Sequence, residues 1–142
     1  VKKVIKNYTK SELLKLSVAF HGHIGPYLVL GLKAGELANS ILDKDPFKMR
    51  AEVFCPPRTP YSCIIDGIQF STGCTMGKCN ITMHPSEVIK IVFTKNGRSL
   101  EIYLKKTILE QIASLKEEAI EDVSKKIYND SANDIFDYNL KS

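Results

Sequence analysis

Two stretches of the chain concentrate side chains able to hold a metal or move a proton. The first is Phe20-His21-Gly22-His23-Ile24-Gly25-Pro26-Tyr27. Its two imidazoles suit both tasks near neutral pH, and its glycines let backbone approach a ligand closely. The second runs from Cys63-Ile64-Ile65-Asp66-Gly67-Ile68-Gln69 to Thr72-Gly73-Cys74-Thr75-Met76-Gly77-Lys78-Cys79-Asn80. If the fold joins these stretches, His21, His23, Cys63 and Cys74 make a soft nitrogen and sulfur donor set. Zinc takes thiolates at ~2.3 Å and imidazoles at ~2.0–2.1 Å, usually in a tetrahedron. The spacing is not that of a zinc finger, so metal and no metal both stay open on the residues alone. Nickel, copper and iron accept the same donors.

Each residue has a plainer alternative. His21 is either a ligand or a hydrogen-bonded helix-end residue, and His23 either a ligand, a supporting partner or a proton carrier. Alternate positions on an extended loop would point both imidazoles the same way. Cys63 is a ligand or an inert buried thiol. Cys74, between Gly73 and Thr75, is hard to place in a core and is the leading sulfur ligand. Cys55, beside two prolines, reads as structural, and His84 before Pro85 as a surface turn residue. Asp66 orients a histidine, acts as a base or is a helix-surface carboxylate. Lys78 in its glycine-rich loop holds a carboxylate or phosphate, or is an exposed loop lysine. Gly-x-x-x-Gly-Lys is shorter than a P-loop and lacks the following Ser or Thr, which argues against nucleotide.

Helices and strands must position these groups. Thr9 or Ser11 caps a helix with Leu13, Leu14, Leu16, Val18 and Ala19 mostly on one face, ending at His21-Gly22. Pro26 suits the first turn of a longer helix that runs to Leu42. Its Gly31, Ala34, Gly35 and Ala38 recur every three or four positions, a face that lets another backbone pack closely. A strand is predicted over 48–55, then a short helix from Pro60 to Phe70 carrying Cys63, Asp66 and Gln69, with strand as the alternative. Residues 71–80 read as a loop. Strands at 88–93 and 99–104 join through Asn96-Gly97, a favoured hairpin turn, and Ile81-Thr82-Met83 adds a third beside them. Ile108, Ile112, Leu115, Ala119, Ile120, Val123 and Ile127 mark one amphipathic helix over about 107–128. The tail after Asn129 docks by its aromatics or frays. This order gives a single α+β domain, helices packed on a small mixed or antiparallel sheet.

Composition narrows the class of protein. A chain of 142 residues hides roughly 70% of its unfolded surface on folding and needs no disulfide staples. The net charge of +4 is uneven, because residues 106–142 hold five lysines against eight acids, net −3, which leaves +7 for residues 1–105. Those cations, among them Lys2, Lys3, Lys6, Lys10, Lys15, Lys33, Lys44, Lys48 and Arg50, are scattered and read as solvated surface. Without a basic stripe interleaved with aromatics, nucleic acid is not an expected partner. No apolar run approaches the ~18 residues of a membrane span, and Val1–Lys6 is too short in apolar residues for a signal peptide. A cytoplasmic protein is expected.

His21-Gly22-His23 followed by Pro26 and Leu30-Gly31-Leu32-Lys33-Ala34-Gly35, then Cys63 with Asp66 and Ile68-Gln69, then Thr72-Gly73-Cys74-Thr75-Met76-Gly77-Lys78 resembles the FmdE family, named for the E component of formylmethanofuran dehydrogenase. The likeness spans roughly residues 10–105. The family pattern is F-H-G-H-x-C-P-G, C-x-x-D-A-I-Q and T-G-C-T-x-G-K-G-N. The resemblance implies an α+β domain that tends to dimerise, a bound metal such as zinc or another divalent transition ion, and association with a molybdenum or tungsten enzyme. No C-terminal zinc ribbon is expected here. Two positions depart from the pattern: Gly25 replaces the cysteine before the proline, and Cys79 replaces the glycine before Asn80.

Expectations for the site follow. His21, Cys63 and Cys74 bind the ion, with His23 as a fourth ligand or close partner, and His23, Asp66 and Lys78 are the catalytic candidates for an anionic or sulfur-containing small molecule. A carrier, sensor or assembly factor without catalysis is the alternative, as is a thiol redox protein bridging Cys74 to Cys79 or Cys63. A homodimer is expected to cover the small-residue helix face and the sheet edge.

Overall fold

Thr9 opens the first helix through a reciprocal cap: its N–H donates to Glu12 Oε1 at 2.9 Å, and the Glu12 N–H donates to Thr9 Oγ1 at 3.1 Å. This helix, α1 (Lys10–His21), stops at Gly22, whose φ of 107° is a left-handed conformation that a residue without Cβ adopts freely. The structure is a computed structural model and describes residues 8–142. The stretch Val1–Lys6 and its three lysines lie outside the described residues.

Pro26 then starts α2 (Pro26–Leu42), which is buried on nearly all sides and forms the spine of the domain. After β1 (Arg50–Cys55) come one 3₁₀ turn over Tyr61–Cys63 and α3 (Ile64–Thr72). The remaining elements are β2 (Ile81–Pro85), β3 (Lys90–Lys95), β4 (Arg98–Leu104), α4 (Lys106–Ala113), α5 (Ile120–Asn129), α6 (Ala132–Ile135) and β5 (Phe136–Lys141). The strands form one mixed sheet in the order β2-β1-β3-β4-β5. β1 and β2 run parallel, joined by the crossover that contains α3, and the other pairs are antiparallel. Ala51, Val53 and Cys55 of β1, Ile91 and Phe93 of β3, and Leu100, Ile102 and Leu104 of β4 alternate into the core beneath α2. This is the α+β architecture expected from the sequence.

The small residues of α2 meet α3 of the same chain. A Cβ added at Gly31 would lie 2.0 Å from Ile64 O, and one added at Gly67 would lie 2.2 Å from Leu28 O. The two backbones therefore touch, and only glycine fits at either position. That face needs no second copy of the chain to cover it.

Several segments differ from the sequence reading. The helix expected over 107–128 is broken into α4, a 3₁₀ turn at Glu117–Ala119 and α5. The ladder ends at Ser114, whose N–H still donates to Glu110 O at 3.2 Å while the next N–H, of Leu115, tightens onto Ile112 O at 3.1 Å, and Ile108 and Ile127 both enter the core. Residues 71–80 are not all loop: α3 runs to Thr72, and Met76–Lys78 make a 3₁₀ turn capped by Thr75 Oγ1. The strand at Ile81 pairs with β1 and not with the β3–β4 hairpin. The tail folds back as β5 along β4, Leu104 opposite Phe136 and Ile102 opposite Tyr138. His84 is a strand residue, hydrogen-bonded to Glu52 at 3.0 Å and stacked on Phe54. Lys33 is not a solvated cation; it is buried, and its Nζ donates to Tyr128 O at 3.2 Å and to Asp130 O at 2.5 Å, satisfying carbonyls at the end of α5. Among the described residues no helix is long and apolar enough to cross a membrane.

Candidate functional site

The end of α1 carries His21 to the middle of α3, where its Nδ1 meets Asp66 Oδ2 at 2.6 Å. Such a short contact is what a carboxylate accepting from an imidazole N–H gives. The bond fixes the ring and leaves Nε2, on its far side, as the free nitrogen. Phe20 and Phe70, next in line on the same two helices, pack with ring centroids 5.2 Å apart and brace the junction. Asp66 Oδ1 also lies 3.4 Å from Gln69 Nε2, and Gln69 Oε1 accepts the Met76 N–H at 3.0 Å. Gln69 thus ties the carboxylate to the glycine-rich loop.

His23 follows two residues later on exposed backbone, with its Nδ1 3.1 Å from Ile24 O and its ring centroid 5.0 Å from that of His21. The loop does present both imidazoles near one another. Gly25, the N-cap of α2, is extended at φ −149°. A Cβ there would sit 3.2 Å from His23 Cε1, so the cysteine of the family pattern would bring its side chain against this imidazole.

The sulfurs are placed differently. Cys63 is half-buried at the start of α3, three residues before Asp66; burial and then the Asp66 charge push its thiol pKa up. Cys74 is 0% exposed and belongs to the core, with its Sγ–H donating to Met49 O at 3.3 Å. Burial raises its pKa, against weaker opposing help from Thr72, Lys78 and Arg50, so the thiol keeps its proton at neutral pH. Its hydrogen bond goes to backbone and not to either histidine. Cys79 is exposed with φ +58°, which explains why the family pattern has glycine there. Lys78 Nζ donates to Thr75 Oγ1 at 3.0 Å within its own loop. Cys55 is buried at the end of β1, as a structural thiol would be.

Among the described residues no three His, Cys, Asp or Glu side chains converge in a way that could hold a metal ion. Asp66 is spent on His21, Cys74 on the core, and position 25 has no side chain, so the residues as placed do not fit a three-donor metal site.

Two features escaped sequence reasoning. A cleft of about 550 Å³ is walled by Phe20, Gln69, Phe70, Met76 and Tyr8; Gln69, bonded to Asp66, links it to the His–Asp pair, which does not itself line it. Asn80 holds the loop, accepting from Thr75 N at 2.8 Å and donating to Pro46 O at 2.8 Å and Met49 O at 3.2 Å. No local pattern announces that network.

Fold and site together define an α+β domain with a carboxylate-held histidine where α1 meets α3. The chain belongs to the FmdE family, described as "FmdE, Molybdenum formylmethanofuran dehydrogenase operon", which it matches over residues 20–137. It is similar in fold to the crystal structure of an FmdE-like protein of the tungsten formylmethanofuran dehydrogenase type from Syntrophus aciditrophicus. That likeness has a TM-score of 0.63 at 19% identity and covers 99% of this chain and 77% of the other. A curated relative from Archaeoglobus fulgidus, named "Probable S-adenosyl-L-methionine-binding protein", is 28% identical over 98 residues. The match spans 66% of this chain but only 27% of that protein's length.

Proposed function

We propose that this FmdE-family chain binds a small molecule at the cleft beside α1 and α3, and that His21 is the group that meets it. The observation that carries this reading is the 2.6 Å bond between His21 Nδ1 and Asp66 Oδ2. With Nδ1–H given to the carboxylate, Nε2 keeps a lone pair that accepts a ligand proton, and Asp66 stabilises the imidazolium that results. The apolar wall of Phe20, Phe70 and Met76 holds the ligand body, and Lys78, one residue from Gly77 of the wall, balances an anionic group. His23 stands ready as a second polar contact. An anionic or sulfur-containing ligand agrees with these groups, and the name of the Archaeoglobus relative makes S-adenosyl-L-methionine a probe to try.

A second reading keeps the metal. The adjacent imidazoles of His21 and His23 favour it, with a divalent transition ion such as zinc taking its other donors from a ligand or from a reoriented Cys63. Under either reading the family's operon association supports an accessory role beside a molybdenum or tungsten enzyme, catalytic or as a carrier. Among the described residues the outer edges of β2 and β5 pair with no further strand, which supports self-association.

The test reads the His21 ring nitrogens by ¹⁵N NMR at one fixed pH in the native chain and in Asp66→Asn. The native ring is expected to hold its proton on Nδ1, facing the carboxylate, and the variant to lose that preference. The same tautomer pattern in both chains refutes the dyad. Zinc alone, titrated by calorimetry into the native chain, His21→Ala and His23→Ala, decides the second reading: binding lost in both variants supports it, and no binding at all removes it.

A further inference from the structure

Tyr27 stands in the first turn of α2 and is only 5% exposed, yet its hydroxyl makes no hydrogen bond with any described residue. Among the described residues, the unpartnered side-chain polar atoms sealed from solvent belong to Glu36, Asn39 and Ser124. Tyr27 Oη is therefore open as well as unpartnered. Its residue lines a cavity of about 300 Å³ with Arg58, Tyr61, Glu87, Val88 and Tyr103, and the rest of the wall is aliphatic or proline. The Tyr27 and Tyr61 rings meet edge to face, with centroids 5.3 Å apart and planes at 67°. Burial, and then the nearby Tyr61, push the Tyr27 pKa up, so at neutral pH the hydroxyl keeps its proton and is a donor without an acceptor. Buried polar groups without a partner are rare in folded proteins. Arg58 stands at the rim with its side chain 56% exposed. It lies over the Tyr61 ring at 5.2 Å and reaches Glu87 Oε1 only at 3.5 Å, which leaves most of its five donors free.

We propose that this cavity binds a small aromatic carboxylate with a polar group on the far side of its ring. The ring lies among Tyr27, Tyr61 and Tyr103, the polar group accepts the Tyr27 proton, and the carboxylate pairs with Arg58. Size, walls and polarity select this class together. Ligand sites run from roughly 300 to 1,000 Å³, so this cavity has room for one ring and a short arm. Tyrosines already set edge to face accept a further flat ring in the same manner. A carboxylate placed deep would lose its water for a single donor, whereas at the rim it stays partly solvated and meets a planar fork that matches it. An organic cation also suits tyrosine walls, but Arg58 already stands over the Tyr61 face and would repel it. The cavity contains neither histidine and shares no residue with the cleft of Phe20 and Phe70, so the inference does not rest on the proposed role of His21.

The experiment titrates four compounds into the full chain and follows backbone amide shifts by NMR. They are 4-hydroxyphenylacetate, phenylacetate, which lacks the hydroxyl, 4-methylphenol, which lacks the carboxylate, and tetramethylammonium. The first is expected to shift residues around 27, 58, 61 and 103, with phenylacetate and 4-methylphenol each about tenfold weaker. Tyr27→Phe removes an oxygen that no described residue holds, so the variant is expected to fold as the native chain does. It should bring 4-hydroxyphenylacetate down to the affinity of phenylacetate and leave phenylacetate unchanged. Arg58→Gln, at the exposed rim, is expected to weaken both acids about tenfold and leave 4-methylphenol unchanged. Should Tyr27→Phe fail to fold, Arg58→Gln with the two truncated compounds carries the test. No shifts at these residues up to ~10 mM ligand, an affinity for 4-hydroxyphenylacetate that neither variant changes, or tighter binding of tetramethylammonium than of the acids would each overturn the proposal.

Discussion

Replacing Gly25 by cysteine restores the family pattern at the position where this chain lost a sulfur, and the structure allows the effect to be worked out. The backbone at φ −149° accepts any residue, so the substitution carries no conformational strain. The new Cβ lies 3.2 Å from His23 Cε1, tight enough to make the ring move a few tenths of an ångström. His23 is exposed and its one hydrogen bond is the 3.1 Å contact with Ile24 O, so the cost is at most that bond. About 1 kcal/mol is lost, or roughly 2–4 °C in Tm for a chain of this size. In return a thiolate stands against one imidazole and close to a second, which supplies the third donor an open zinc site needs. Partners that merely orient metal ligands change affinity by about 10–100-fold, so a new ligand is expected to raise zinc affinity at least about 100-fold. Competition against a chromophoric chelator under reducing conditions measures it, and adding His21→Ala should remove the gain. A folded Gly25→Cys protein whose zinc affinity stays within about threefold of the native value would refute the idea that position 25 is the missing donor.

Gly31→Ala drives a methyl to 2.0 Å from Ile64 O at a contact of two backbones, and is expected to cost at least about 3 kcal/mol by thermal or urea unfolding, while Gly77→Ala, with nothing nearer than 3.9 Å, serves as a near-neutral control. Lys33→Met strips the donor from Tyr128 O and Asp130 O and is expected to destabilise by about 1–3 kcal/mol, with faster amide exchange at the end of α5. Burial raises the thiol pKa of Cys74 and Cys55 in the folded chain above the ordinary 9.0. The folded form then keeps protons that the unfolded form releases, so their contribution is whole below pH 9 and is lost as pH rises through the folded values. The slope of stability against pH above 9 should flatten in Cys74→Ser.

How much of this was legible in the sequence depended on where each signal was stored. Thr9 with Glu12, Gly22, Pro26 and Asn96-Gly97 act over three or four residues, and the boundaries of α1, α2 and the hairpin fell where those residues put them. The break at Ser114 and the strand Phe136–Lys141 did not, because each is decided by what lies across the domain: the core positions of Ile108 and Ile127, and the free edge of β4. Cys74 shows the same limit at the site. Its glycine and threonine neighbours made it look like a loop ligand, yet Asn80 folds the loop inward through Pro46 and Met49, and the thiol ends in the core. The meeting of His21 with Asp66 spans 45 residues, and without knowledge of the α1–α3 crossing it stayed one of several roles for either residue.

The His–Asp pair is also where local geometry and global packing become one constraint. Asp66 directly precedes Gly67, the residue at which α3 lies against the backbone of α2, with Leu28 O 2.2 Å from the place a Cβ would occupy. The carboxylate is therefore mounted beside a point where α3 is fixed by direct backbone contact. His21 is the last residue of α1, held by the Gly22 N–H donating to Val18 O at 2.8 Å and flanked by the Phe20–Phe70 contact. Neither side chain has to search for the other, so little conformational entropy opposes their bond when a ligand arrives. His23, two residues on, has no such mount: it rests on an exposed loop with one bond to a neighbouring carbonyl. A rigid imidazole beside a movable one suits a site in which His21 sets the ligand's position and His23 adapts to it.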